Sequence, residues 1–372
     1  MSNEEQISVF EQVIQSYLAP VWEYLQDENV TEVMINGHDE VFIEVDGKIQ
    51  KTDAKFADED TLRAAVSNIA QSVDRVIDDR RPRLDARLPN GFRIHAVIPP
   101  CARNGTTVAI RKFSAVQMTF KDLINFGAIT VEAANFLQVA MHLGKNILVS
   151  GGTGSGKTTL LGLLCNQIPK GQRIIVIEDS TELTIDYEHV VFFETRMANE
   201  QGDGEVTIQD LLKSSLRLRP DRIIVGEVRG GEAMELIQAM STGHKGCLGT
   251  VHANTANDAL VRLEALAQGA DSKLSEKALL YQISSAIDLI VQVSRYSDGS
   301  RKVAEITEVT GLGKDGTYET LPIYAMGRLV KTPDGKLKGQ IEPSGNLPTF
   351  MDEIEDNKIP FSRSKFQKPE AA

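Results

Sequence analysis

The chain has 372 residues, 41% of them apolar and 25% charged, with 40 Lys and Arg against 52 Asp and Glu. Such a length predicts about two or three domains, and such a balance excludes a disordered or collagen-like chain. The formal net charge of −12 argues against a general nucleic-acid binder, whose domain is normally basic.

No run approaches the ~18 apolar residues of a membrane span, and residues 1–6 are acidic where a secretory leader would be basic. Cys101, Cys165 and Cys247 are too few and too scattered for a disulfide framework or a zinc site. The chain therefore reads as a soluble cytoplasmic protein. Its charge is patterned: residues 1–60 carry 15 acids and 3 bases, which is the whole net charge. Residues 61–112 carry 10 bases, nine of them Arg, against 4 acids. This polarity concerns faces and partners more than fold, and the acidic start is expected to meet a basic partner.

Ile7, Phe10, Val13, Ile14, Tyr17 and Leu18 recur at helical spacing, which predicts an amphipathic helix over residues 3–18, limited by Pro20. Strands are predicted over 32–35 and 41–45, with Asp46-Gly47 as a hairpin turn before Lys48-Ile49-Gln50. Residues 58–72 alternate at helical period, and 92–98 and 107–113 alternate with period two. An N-terminal helix (1–24) thus precedes an α+β domain (25–128). From about residue 130 the pattern changes. Helices over 132–143, 157–168, 208–218 and 232–241 alternate with short apolar strands at 146–149, 173–177, 222–225 and 247–251. Strands of this kind predict a parallel sheet covered on both faces, an α/β domain over 129–372. Hairpins follow at 295–299 and 331–336, and the polar last dozen residues are expected to be frayed.

Gly151-Gly152-Thr153-Gly154-Ser155-Gly156-Lys157-Thr158 matches G-x-x-x-x-G-K-[ST], and it follows an apolar strand and opens a helix, as the motif requires. Glycines let successive N–H groups turn toward phosphate oxygens, and the helix N-terminus adds a favourable dipole. Lys157 is placed to reach the β- and γ-phosphates and the Thr158 hydroxyl to ligate Mg²⁺, with Thr159 completing the first turn.

In an open parallel sheet, ligands bind outside the carboxyl ends of the strands. Two predicted strands run into acids there: Ile174–Ile177 into Glu178, Asp179 and Glu182, and Ile223–Gly226 into Glu227. Acids so placed can hold a metal through water and orient an attacking water. One of the first three is expected to cap the following turn instead. His252 ends a further short strand, after Thr242-Gly243-His244. The histidine spacing fits no zinc template, and no guanine-reading Asn-Lys-x-Asp motif is present.

The run from Leu216-Arg217 through Gly226-Glu227-Val228-Arg229-Gly230-Gly231-Glu232, with Glu178-Asp179-x-x-Glu182-Leu183 and Thr242-Gly243-His244…His252-Ala253-Asn254, resembles the type II/type IV secretion ATPases. These are hexameric motors of pilus assembly, protein secretion and conjugation. The chain is most similar to the Tad (tight-adherence, Flp) pilus motors, the CpaF-like branch. Pro82-Arg83-Leu84-Asp85-Ala86-Arg87-Leu88-Pro89-Asn90-Gly91, Ile110-Arg111-Lys112-Phe113 and Asp298-Gly299-Ser300-Arg301 extend the likeness over about residues 25–311. Lys245 stands where the branch usually has Asp.

The resemblance implies a RecA-like P-loop NTPase core with a smaller α+β N-terminal domain. It implies that Glu178, Asp179 and Glu182 organise metal and water, that Glu227 activates water, and that His252 senses the γ-phosphate. It also implies that Arg87, Arg93 and Arg111 reach the phosphates in the closed state. The expected protein is then an ATP- and Mg²⁺-dependent homohexamer, working from the cytoplasmic side on an inner-membrane pilus platform protein and peripheral to the membrane through that partner. Stable nucleic-acid binding is not expected. A nucleic-acid translocase of conjugation and a nucleotide-gated scaffold are the alternatives.

Overall fold

A computed structural model describes residues 12–45, 47–73, 75–88, 90–112, 118–198, 202–269 and 274–368. The chain forms two compact units, Met1–Val116 and Gln117–Ala372.

In the first unit, helix α1 (residues 12–17) and α2 (Trp22–Gln26) precede β1 (Val30–Asn36), β2 (Val41–Val45) and β3 (Lys48–Lys51). Helix α3 (Glu59–Ser72) is followed by β4 (Arg83–Arg87), β5 (Arg93–Val97) and β6 (Thr107–Arg111). The six strands form one sheet in the order β3-β2-β1-β6-β5-β4, antiparallel throughout. Asp58 caps α3 by accepting the Thr61 N–H, and the helix buries Leu62, Val66, Ile69 and Ala70 at helical spacing. Ile14, Leu18, Val21 and Leu25 sit in the same core, so the described part of the N-terminal helical segment belongs to this unit instead of standing apart. Residues 3–11 of the predicted helix, Asp46 of the predicted turn and Phe113 lie outside the described residues.

The second unit begins earlier than the expected divide at 128. Helix α4 (Phe120–Asn125) buries Phe120 beside Ile129 and Phe136 in the second unit's core. Lys302 Nζ donates to the Gly127 carbonyl at 2.9 Å, and the Val303 N–H to Ala128 at 2.8 Å. Then follow α5 (Val131–Leu143), β7 (Ile147–Gly151), α6 (Lys157–Cys165), β8 (Ile174–Glu178), β9 (Val190–Glu194), α7 (Ile208–Ser215), β10 (Arg222–Val225), α8 (Glu232–Ser241), β11 (Leu248–Val251), α9 (Ala256–Gln268) and α10 (Glu276–Ala286). Strands β12 (Leu289–Arg295), β13 (Arg301–Leu312), β14 (Tyr318–Met326), β15 (Val330–Lys331), β16 (Leu337–Lys338) and β17 (Ile341–Pro343) lead to α11 (Met351–Asp356).

Nine strands make one sheet, β17-β14-β13-β12-β7-β11-β10-β8-β9. The six from β12 to β9 are parallel, and β13, β14 and β17 extend the sheet antiparallel. One apolar cluster joins α5 and α6 to one face, and a second joins α8, α9 and α10 to the other. This is the doubly covered parallel sheet expected of buried apolar strands.

The tail departs from the frayed expectation through residue 368. Phe361 and Phe366 are buried, with ring centroids 6.1 and 5.5 Å from Phe136, and the Tyr324 hydroxyl donates to Lys365 O at 3.3 Å. Two aromatics spaced along a polar segment suffice to hold it, because each buries a large apolar area. No helix among the described residues is long and apolar enough to cross a membrane.

Candidate functional site

Parallel pairing brings the carboxyl ends of β12, β7, β11, β10 and β8 to one edge of the sheet. From β7 the chain enters loop 152–156 and then α6. A Cβ at Gly151 would lie 2.5 Å from both Ser155 Oγ and Val293 O, so only glycine fits where the strand turns. Gly154 and Gly156 take φ of +67° and +98°, the left-handed region in which glycine is unstrained. The Gly152 carbonyl accepts the Ser155 hydroxyl at 2.8 Å and Lys157 Nζ at 3.1 Å, which closes the loop on itself. Burial draws the Lys157 ammonium below the usual lysine range; Glu227 and Glu182 oppose this, and Arg229 adds to it.

The acid-bearing loops follow β8 and β10. Glu178 is 3% exposed, and its Oε1 accepts the N–H groups of Glu182 and Leu183, both at 3.0 Å. Burial pushes its carboxyl up to about 7 against those two hydrogen bonds. A Cβ on Gly226, at the end of neighbouring β10, would lie 2.8 Å from Glu178 Cγ. Glu178 is therefore an anchor that folds the 178–183 turn. Glu178→Ala is expected to lower ATP turnover by about tenfold or more by releasing the turn, since an orphaned pair of buried N–H groups is costly. Glu178→Gln keeps an oxygen acceptor and is expected to retain most of it. Steady-state phosphate release checks this: equal losses in both variants would make the charge, not the fold of the turn, the function of Glu178.

That turn aims Glu182, whose Oε2 accepts the Thr158 hydroxyl at 3.4 Å. Arg229, absent from the sequence-predicted site, ties the two acid loops together. Its Nη2 donates to Glu227 Oε2 at 2.7 Å and its Nη1 to Asp179 Oδ2 at 3.3 Å. Burial raises the Glu227 carboxyl, but the Arg229 hydrogen bond and charge, with Lys157 and His252, outweigh it and hold the group below the ordinary carboxylate range. Glu232, also outside the predicted site, accepts the Arg229 and Gly230 N–H groups at 2.6 and 2.8 Å and so shapes the second loop as Glu178 shapes the first. The signal for Arg229 was its place two residues beyond Glu227, on the same side of an extended segment.

His252 follows β11 at this edge and contributes to the field at Glu227. His244 precedes β11 and stands at the opposite edge, in a cleft of about 360 Å³ lined also by His142, Arg222 and Lys245. The first unit aligns its arginines by register: Arg87 pairs with Arg93, and Arg93 with Arg111, in one row across β4, β5 and β6. Arg93 also meets Asp85 at 3.0 Å.

Among the described residues no group of three or more His, Cys, Asp or Glu side chains could hold a metal ion alone. The Thr158 hydroxyl and Glu182 Oε2, 3.4 Å apart, form an all-oxygen set. Such a set fits Mg²⁺, which takes one or two protein oxygens and fills its octahedron with water and substrate phosphates.

The family model described as Type II/IV secretion system protein matches residues 15–324. The conjugal transfer protein TrbB of Rhizobium radiobacter is 34% identical over 300 residues, covering 80% of this chain and 88% of that protein. The type IV secretion system protein VirB11 of Bartonella henselae is 33% identical over 334 residues, covering 79% and 92%. Among solved structures, the pilus retraction motor PilT with bound ADP superposes with a TM-score of 0.57 at 21% identity, over 94% of this chain and 90% of that one, a likeness of fold alone. The fold class is thus a RecA-like α/β core preceded by an N-terminal domain.

Proposed function

The chain belongs to the type II/IV secretion system protein family and is an ATPase, and from that premise we propose that it is the hexameric, Mg²⁺-dependent motor of a Tad-type pilus or secretion filament. The observation that carries the chemistry is the edge where loop 151–158 meets Glu227, Arg229, Asp179 and Glu182. Lys157 and the N–H groups of the loop hold the phosphates, while Thr158, with Asp179 beyond it, holds Mg²⁺. Bound there, Mg²⁺ neutralises charge on the β- and γ-phosphates. Glu227, kept ionised by its cationic neighbours, takes a proton from the attacking water. His252 stands at the γ-phosphate side. Arg87, Arg93 and Arg111, which the family resemblance assigns to the phosphates, share one row across β4, β5 and β6.

A nucleotide-driven change in one copy moves a filament only when neighbours are coupled, and a head-to-tail contact that closes makes a ring. The Tad assignment rests on the first-unit motifs that carry Arg87 and Arg111. Its partner would be an inner-membrane platform protein, reached from the cytoplasm. Light scattering of micromolar protein with a non-hydrolysable ATP analogue is expected to give a hexamer; a strictly monomeric mass would overturn the motor. The likeness to a conjugal transfer protein favours one second reading, an ATPase of a conjugation machine. A steep salt-dependent affinity for single-stranded DNA would favour a nucleic-acid-handling role there over the pilus.

A further inference from the structure

We propose that Arg295 and Arg301, which face each other across the β12–β13 hairpin, are further nucleotide-binding residues that contact the di- or triphosphate held by loop 151–158. The proposal deepens the ATPase reading above and rests on it.

Sheet order gives the phosphate loop two different flanks. On one side of β7 lie β11, β10 and β8, whose ends carry His252, Glu227 and Asp179. On the other lies β12, parallel to β7, which ends at Arg295. A Cβ at Gly154 would lie 3.6 Å from Arg295 Nη1, and one at Gly156 would lie 3.9 Å from Arg301 Cδ. Both arginines therefore stand in van der Waals reach of the loop, at its two positive-φ glycines.

They are also directly opposite one another in the antiparallel register, and both are exposed. Their guanidinium groups are weakly hydrated forks suited to phosphate oxygens.

The arm that carries them is built to hold still. The Tyr296 N–H donates to Ser300 O at 2.8 Å and the Gly299 N–H to Tyr296 O at 2.9 Å. Asp298 accepts the Ser300 N–H at 3.0 Å, its hydroxyl at 2.6 Å and the Leu337 N–H at 2.6 Å. A triphosphate in the loop faces carboxylates on its β10 and β8 side, where Arg229 is already engaged by Glu227 and Asp179. The hairpin places cationic charge on the opposite side, from the same unit that carries the loop.

The test is calorimetric titration of the full chain with ATP, ADP and AMP in the presence of Mg²⁺. In Arg295→Ala/Arg301→Ala, ATP and ADP are expected to bind roughly 10- to 100-fold more weakly, the range for lost hydrogen bonds to a charged group, and AMP to be affected far less. Lysine at both positions should recover part of the loss. Should the double variant fail to fold, Arg301→Gln, at an exposed strand position, carries the same test at one site. Wild-type affinity for ATP in these variants overturns the proposal and leaves the ATPase reading intact. Equal weakening of AMP and ATP also overturns it, because the contact is then not to the β- or γ-phosphate. A wild-type chain that binds no nucleotide overturns both.

Discussion

Lys157→Ala is expected to lower ATP hydrolysis by about 10²–10³-fold, the scale of removing one preorganised donor from a phosphoryl or acyl transition state. Weaker ATP binding should accompany it. The side chain is half-buried and reaches back over its own loop to the Gly152 carbonyl, so no core packing depends on it. What it supplies is charge in a place of reduced dielectric, where an ammonium acts on a phosphate far more strongly than in water. Its removal also takes a cation from beside Glu227, whose carboxyl then loses part of what holds it low. Binding and rate should therefore fall together, with the thermal unfolding midpoint near that of the wild type. Phosphate release at saturating and limiting ATP, with a melting curve on the same sample, measures all three. Near-normal turnover would remove loop 151–158 from the site.

The phosphate loop was legible because three signals coincide within a dozen residues: an apolar strand, a glycine spacing and the opening of a helix. Alternation made β5 and β6 readable, and short apolar runs set between helices did the same for most of the parallel strands. β4 and β9 show why some strands were not read. In β4, Arg-Leu-Asp-Ala-Arg offers one buried apolar side chain, Leu84, so the period has almost nothing to mark it. In β9, Val-Val-Phe-Phe-Glu lies at the edge of the sheet with no buried residue, so its run of apolar residues carries no alternation. Helices α9 and α10 drew no expectation although Leu260, Leu263, Leu279 and Ile283 have helical spacing. The boundary at 128 was placed by a glycine at Gly127, whereas the physical divide follows the burial of Phe120.

Within the site, residue type located the acids but could not rank them. Which of Glu178, Asp179 and Glu182 turns inward depends on Gly226, a residue of another strand that leaves room for one side chain only. Arg229 and Glu232 stand in the run that carries the family resemblance, but their tasks exist only once β8 and β10 lie side by side. Arg295 and Arg301 were legible as a hairpin, but their nearness to the loop comes from β12 pairing with β7, across 142 residues between paired Leu289 and Ile147. Chemistry carried by local sequence was visible, and chemistry carried by sheet order was not.

Glu227→Gln is expected to lower steady ATP turnover by about 10²–10⁴-fold while leaving ATP bound, which separates it from Lys157→Ala. The amide keeps the size of the side chain and an oxygen that can accept from Arg229 Nη2, so the tie between the two acid loops is weakened but not opened. What is lost is the lone pair of an ionised carboxylate able to receive a proton. The surroundings of Glu227 are arranged for that ionised form: burial alone would favour the neutral acid, and Arg229, Lys157 and His252 reverse it. The alternative assignment of the base to Asp179 makes a different forecast, because Asp179 is exposed and meets Arg229 only at 3.3 Å. On that assignment Asp179→Asn should lower turnover by about 10²–10⁴-fold, with Glu227→Gln near normal. In the present arrangement Asp179→Asn should instead raise the Mg²⁺ concentration needed for half-maximal rate, and added Mg²⁺ should recover it. Glu227→Gln should remain slow at every Mg²⁺ concentration, and its recovery by Mg²⁺ would move Glu227 from proton acceptor to metal holder.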